Sequence, residues 1–423
     1  MNLINKDSDK LQGVIELLLQ SSSRINESKN KKYWYPLSKA TYGVEEIIES
    51  LDSLCTFRTT MWEKTLKFER KFTEFQGNYD AVMVNSGSSA DLLMCHQLLC
   101  QPNPKLEIGD EILIPVVTWP TQIWSAMMAG LKVKLVDVDR ETLNIDLNDL
   151  KNKISKKTKA IFLVHLMGNP VNMDSILEII DDNNLILIED CCEALGAEWG
   201  DKKVGTFGIA SSFSFFFSHH MTTMEGGLIS CSNSEVTDQT KILRGHGWTR
   251  NVDTTGYNLS EFDVDSRYAF VNWGFNMRPT EIQASFGLHQ LNKLSNFNST
   301  RDSLSKLFFD FVDNNSHIYR PKVHFKSKPS WFSLPLVLSE DAPFTRKEFV
   351  SFLELNGVET RPIVAGNLSR HPVSQYFPEF KEYTFSGADY IHDNGLYLGL
   401  SPFSTKKDIE KLINICKLFF KKY

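Results

Sequence analysis

Two adjacent histidines, His219 and His220, sit in the segment Ser214-Phe-Phe-Phe-Ser-His219-His220-Met-Thr-Thr-Met-Glu-Gly-Gly227. Imidazole takes and gives protons near neutral pH but carries no primary amine. A histidine here can work as an acid or base and cannot hold a carbonyl compound covalently as a lysine can. A second constellation, Asn85-Ser86-Gly87-Ser88-Ser89-Ala90, follows an apolar run and precedes the helical Asp91-Leu-Leu-Met-Cys-His-Gln-Leu-Leu. Small residues at a helix start let backbone N–H groups and hydroxyls converge on a phosphate, and the helix dipole adds attraction. A serine-rich helix cap without a ligand reads the same way. Ser214, five residues before His219, is placed to join Ser88 and Ser89 around such a phosphate.

An acidic pair closes another apolar run in Ile188-Glu189-Asp190-Cys191-Cys192-Glu193. A carboxylate beside a pyridine-type nitrogen keeps it protonated, and the ring can then accept electrons from a neighbouring carbanion. Asp190 is the candidate for that contact, with a simple helix cap as the alternative. Trp119, in Pro115-Val-Val-Thr-Trp119-Pro-Thr, lies just past a strand, where it can cover a flat ring or serve packing. Gly274-Phe-Asn276-Met-Arg278-Pro adds an amide and a guanidinium before a long helix. His165 is read as a structural hydrogen-bonding residue at a strand end. A zinc site on His219, His220 and Glu225 is disfavoured, because adjacent histidines do not share a helix face.

The elements that must position these groups alternate. Strand-like runs at Ala81–Val84, Glu111–Ile114, Val133–Val138, Ala160–Val164, Leu185–Ile188, Ser211–Phe217 and Gly227–Ser230 are separated by helical stretches. This predicts an α/β protein with a mostly parallel, helix-covered sheet. Leu11, Ile15, Leu18 and Leu19 share a helical face within a polar N-terminal arm, taken as residues 1–45. A large domain is expected over 46–296 and a smaller α+β C-terminal domain over 297–423, with a long helix after Pro279 linking them.

The 423 residues are 42% hydrophobic and 23% charged, enough for a sizeable core, with a net charge of −6. The pI near 6.0 and the lack of a basic block argue against nucleic acid or an anionic membrane surface as principal partner. There is no signal-like start and no apolar run of about 18 residues, so a cytoplasmic protein is expected. The seven cysteines are an odd, scattered set, which fits a reduced compartment and no disulfide framework.

Together and in this order, the motifs resemble the DegT/DnrJ/EryC1/StrS family of fold-type-I sugar enzymes dependent on pyridoxal phosphate (PLP), from about residue 35 to the C-terminus. The resemblance implies an aspartate-aminotransferase-like fold with Asp190 at the pyridine nitrogen, Trp119 on the ring, and Ser88, Ser89 and Ser214 on the phosphate. Glu193 would tune the ring environment. Asn276 would reach the phosphate of a neighbouring subunit's cofactor, which implies a homodimer with shared active sites. His219 departs from the family, whose members carry lysine there. The departure resembles a branch of sugar 3-dehydratases that have a His-His pair and use pyridoxamine phosphate (PMP). The stretches His246-Gly-Trp-Thr-Arg250-Asn and Glu359-Thr-Arg361-Pro-Ile-Val-Ala-Gly-Asn367 also resemble that branch.

Some of its members hold a [2Fe–2S] cluster on cysteines spaced C-x57-C-x-C-x7-C. Cys192 fits the first position, but the next three fall on Arg250, Val252 and Ser260. No iron–sulfur cluster is therefore expected, and the resemblance implies 3-dehydration of a nucleotide-linked 4-keto-6-deoxyhexose, GDP-4-keto-6-deoxy-D-mannose first. L-Glutamate would donate the amino group, with release of 2-oxoglutarate and ammonia. His219 would be the catalytic base and His246 a second acid or orienting group. A carboxylate needs a fixed bidentate cation, for which Arg361 is the first candidate, while Arg250 and Arg278 could meet carboxylate or diphosphate. The alternatives are a CDP- or dTDP-linked sugar, or a non-catalytic sugar-nucleotide binder.

Overall fold

The computed structural model describes residues 8–29, 32–250, 252–254, 256–381 and 383–423; the first seven residues of the expected arm lie outside these. Strands β1 (Asp80–Val84), β2 (Glu111–Pro115), β3 (Lys132–Val136), β4 (Thr158–Val164) and β5 (Ile186–Asp190) are short and mostly buried. β6 (Glu198–Trp199) and β7 (Lys202–Lys203) form a small excursion before β8 (Ala210–Ser214) and β9 (Gly227–Cys231). The main sheet runs β1-β9-β8-β5-β4-β2-β3. All its pairs are parallel except those of β9, which is antiparallel to both β1 and β8. Near-continuous apolar strands such as Ile161–Val164 suit a sheet covered on both faces.

The helices are α1 (Ser8–Lys29), α2 (Val44–Cys55), α3 (Glu63–Gln76), α4 (Gly87–Gln97), α5 (Thr121–Met128), α6 (Leu147–Lys153), α7 (Met173–Asn183), α8 (Ser234–Arg244) and α9 (Glu281–Asp313). α4 and α5 cover one face of the sheet through a core that includes Leu93, Met94, Ile123 and Ala126. α7 covers the other through Met173, Ile176 and Ile179. α9 starts at a capping box between Thr280 and Gln283, which satisfies otherwise unpaired N–H groups. It then runs unbroken for 33 residues, through position 297.

The C-terminal part builds a four-stranded antiparallel sheet, β10-β12-β14-β13, from β10 (Ile318–Tyr319), β12 (Leu334–Leu338), β13 (Thr360–Pro362) and β14 (Gly395–Leu398). β11 (Ser327–Lys328) pairs instead with β6. α10 (Arg346–Leu355) and α11 (Ser386–Asn394) pack on the C-terminal sheet, and α12 (Lys406–Phe420) packs on α9 and α10 beside that sheet. Ile409, Leu412 and Cys416 of α12 enter its core.

One strand differs from expectation. The apolar run 211–217 stops being a strand at Ser214, where pairing with β9 ends at Gly227. Phe215 turns into the core, and Phe216 and Phe217 are left 46% and 38% exposed. On α1, Ile15 is buried but Leu18 is 61% exposed, because the helix touches α2 along a narrow line. No helix among the described residues is long and apolar enough to cross a membrane.

Candidate active site

The carboxyl ends of β5 and β8, where open α/β sheets place their ligands, deliver Asp190 and Ser214 next to the start of α4. Ser86 caps that helix, its Oγ accepting from the Ser89 N–H at 3.1 Å. Ser88 faces Thr121 across 3.3 Å. A Cβ on Gly87 would lie 2.5 Å from the Ser214 Cβ, so the glycine is what lets β8 come this close. Ser88, Ser89 and Ser214 thus gather at one helix N-terminus, which also offers its free N–H groups.

Asp190 is buried at the end of β5. Its Oδ1 accepts from the Cys192 N–H at 2.7 Å and its Oδ2 from the Gln122 side-chain amide. Burial pushes its carboxyl up, and these two donors oppose the shift. Glu189, its neighbour, points the other way and is used structurally, accepting from His165 and from the N–H groups of Gly205, Phe207 and Gly208. Glu193 accepts from the Met167 N–H at 2.8 Å, and burial pushes it up to about 7. Trp119, 61% exposed, precedes α5 with its ring free to cover a ligand.

His219 lies on the loop after β8. Its Nδ1 is buried and has no hydrogen-bond partner; burial pulls its pKa down to about 4, against the Cys192 backbone and with help from Arg301. The imidazole is therefore neutral and its ring nitrogen available. His220 is different: its Nε2 is 2.9 Å from the Ser330 carbonyl and the residue is buried, so it anchors the loop. Arg301 of α9, 4% exposed, donates to the carbonyls of Leu400, His220 and His219 at 3.1, 3.1 and 3.5 Å. A cavity of about 230 Å³ opens beside His219, bordered by Phe332, Arg301, Arg361, Glu359 and Tyr397. Arg361 is paired with Glu359 at 3.0 Å. Lys39, the one lysine bordering this cavity, is engaged with the Phe403 carbonyl and Asp408.

The remaining candidates form a separate group. His246 sits at a positive φ of 69°, and its Nε2 is 3.2 Å from the Arg278 guanidinium. Arg278 donates to the Asn276 side-chain oxygen at 3.0 Å. Arg250 lies over the Trp248 ring at 5.2 Å. None of His246, Arg250, Asn276 or Arg278 borders the cavity at His219. The group is tied to the serine cup through the backbone, since the Asn85 N–H donates to the Met277 carbonyl at 3.1 Å.

Gln122, Asp91 and Arg301 were not among the residues singled out from sequence. Each acts through contacts between elements far apart in the chain, which spacing does not reveal. The glutamine three residues after Trp119 was the one available signal.

The assembled groups fit a flat, phosphorylated nitrogen heterocycle: a serine cup with a Gly87 wall a Cβ would fill, a buried carboxylate beyond it, and, on the loop after β8, a neutral imidazole with an unpartnered nitrogen. They do not offer a lysine for covalent attachment. Residues 42–417 match the DegT/DnrJ/EryC1/StrS aminotransferase family. The chain is 37% identical over 391 residues to the GDP-4-keto-6-deoxy-D-mannose 3-dehydratase of Yersinia pseudotuberculosis, covering 90% of this chain and 98% of that one. The solved structure of the E. coli GDP-4-keto-6-deoxy-D-mannose-3-dehydratase with bound hydrated PLP is 36% identical. It superposes with a TM-score of 0.85 over 90% of this chain and 99% of that one. A GDP-4-keto-6-deoxymannose-3-dehydratase with a trapped PLP-glutamate geminal diamine matches with a TM-score of 0.84 at 36% identity, over 90% and 99% of the two chains. The chain belongs to the DegT/DnrJ/EryC1/StrS aminotransferase family and has the fold of its PLP-dependent sugar enzymes.

Proposed function

We propose that this protein is a PLP/PMP-dependent 3-dehydratase acting on GDP-4-keto-6-deoxy-D-mannose. It uses L-glutamate as amino donor, releases 2-oxoglutarate and ammonia, and works in the cytoplasm as a homodimer with shared sites. The observation that carries this reading is His219: a neutral imidazole with an unpartnered Nδ1 lies next to Cys192, whose N–H donates to Asp190. When bound, the cofactor supplies an amine able to condense with the C4 ketone and a ring able to take up the resulting electron density.

The chain's own residues then divide the work. Ser88, Ser89 and Ser214 hold the phosphate against the α4 N-terminus. Asp190, whose two donors oppose the burial-driven rise of its carboxyl, would face the ring nitrogen and hold a proton there. Trp119 covers the exposed side and excludes water. Glu193 lies close enough to Asp190 to add to its field. His219 takes and returns a proton through Nδ1 while the C3 hydroxyl departs. Arg361 can leave Glu359 to bind the carboxylate of glutamate as a bidentate pair. His246, Asn276, Arg250 and Arg278 serve the neighbouring subunit's site, Asn276 at the phosphate and the others toward substrate.

Incubating the purified protein with PLP, L-glutamate and each of the GDP-, CDP- and dTDP-linked 4-keto-6-deoxyhexoses tests this. A 3-deoxy-4-keto product from the GDP sugar is expected. Turnover of only a CDP or dTDP sugar would reject the nucleotide, and a 4-amino sugar would reject dehydration.

A further inference from the structure

Beneath the site lies a second carboxyl with no role so far. Asp91, the fifth residue of α4, is 2% exposed. The Gln122 amide nitrogen that donates to Asp190 is also 3.4 Å from the Asp91 Oδ2, so one amide group lies between two buried carboxyls. The Gln122 oxygen accepts from the Thr118 hydroxyl at 2.9 Å. The Asp91 Oδ1 is buried without a partner. Ser212 is its other polar neighbour, and the titratable groups facing it are Asp190, Cys95 and Cys192, with no cation among them. On the far side Asp190 also feels His165.

Two anions this close, buried and without a cation, cannot both persist. The donors decide which carboxyl keeps the charge. Asp190 receives the Cys192 N–H and the Gln122 amide at close range, whereas Asp91 receives a 3.4 Å contact from Gln122 and the Ser212 hydroxyl and leaves an oxygen bare. We propose that Asp91 is a neutral positioning acid that fixes the Gln122 amide and reserves the pair's single negative charge for Asp190. A primary amide has two hydrogens, and here each serves one carboxyl. Turning the amide over would set its oxygen against the charge on Asp190, so that charge sets the orientation of Gln122 and Asp91 adds a second acceptor to it. The burial-driven rise of the Asp91 carboxyl agrees with this assignment.

The functional value of the inference rests on the reading that Asp190 meets the cofactor's ring nitrogen; the protonation of Asp91 does not. Infrared difference spectra of wild type minus Asp91→Asn, taken with and without PLP near neutral pH, should show a protonated-carboxyl band that the variant lacks. An ionised carboxylate band in its place would overturn the proposal. Asp91→Leu should weaken PLP binding about tenfold, the worth of a charge-linked hydrogen bond, and should move the pH midpoint of the bound cofactor's absorption. Asp91→Asn should restore both to within about twofold of wild type, because an amide replaces a neutral acid in shape and charge. Asparagine as damaging as leucine would contradict a neutral Asp91. If leucine is not tolerated by the fold, Asp91→Ser serves as the truncating variant. Asp190→Asn separates the two claims: a midpoint unmoved by it rejects the ring contact, while the infrared comparison still decides Asp91.

Discussion

The loop carrying His219 and the loop carrying His246 solve opposite problems. The first is enclosed: Arg301 gathers the carbonyls of both histidines, His220 is bonded to Ser330, and His219, bordering a cavity, keeps a buried ring nitrogen without a partner. The second is open. His246 touches Arg278, and nearby Tyr268, Phe270 and Trp273 are 65%, 61% and 55% exposed. A cluster of exposed aromatics beside two arginines marks a surface built to be covered. The first loop completes its geometry within one chain, whereas the second leaves its groups exposed, as the proposed sharing of sites between subunits requires.

Breaking the enclosed loop should have the largest effect. Arg301→Leu removes three hydrogen bonds and leaves buried carbonyls unpaired, a loss of roughly 3–5 kcal/mol in denaturant unfolding. A loss under about 1 kcal/mol would show that the clamp is not what holds His219. The open loop is tested by mixing two inactive proteins, His219→Asn and Asn276→Ala. If Asn276 serves the partner's site, random exchange makes half the dimers mixed, each with one intact site, so activity should return to about a quarter of wild type. No recovery would place Asn276 within its own chain's site.

Acid and alkaline behaviour sharpen the contrast further. His219 binds its proton only near pH 4 in the folded protein against 6.5 ordinarily, so the unfolded chain takes up more protons between those values. Stability is then lost as pH falls through this window, and His219→Asn should flatten that loss. Glu193 moves from 4.5 to about 7, so folding retains its proton and stability declines as pH rises across that range. Glu193→Gln should remove this second slope in thermal unfolding scans of the cofactor-free protein. The smallest change is expected at the exposed surface: Arg250→Ala loses one cation–π contact with Trp248, worth about 0.5–1 kcal/mol, in a chemical unfolding curve.

Much of this was legible in the chain because it rests on local pattern. The seven sheet strands, the Ser86–Ser89 helix start and the strand-end Asp190 all announce themselves through alternation and capping residues. The end of β8 did not, since three phenylalanines prolong the apolar run while the ladder stops where Gly227 faces Ser214. The unequal fates of His219 and His220 were hidden too. They depend on Ser330 and Arg301, over 80 residues away in sequence. Asp91 carries no signal of its own and Gln122 only its place three residues after Trp119, since each gains meaning from Asp190 arriving on another strand.

The most direct test of the central claim, that a histidine at 219 sets the reaction, is His219→Lys in the presence of PLP, L-glutamate and the GDP ketosugar. The account predicts that borohydride treatment then leaves a cofactor adduct on Lys at this position, detectable by intact mass, and that dehydration falls by about 10²–10⁴, the usual worth of a positioned acid–base group. Dehydration at the wild-type rate in this variant would contradict it.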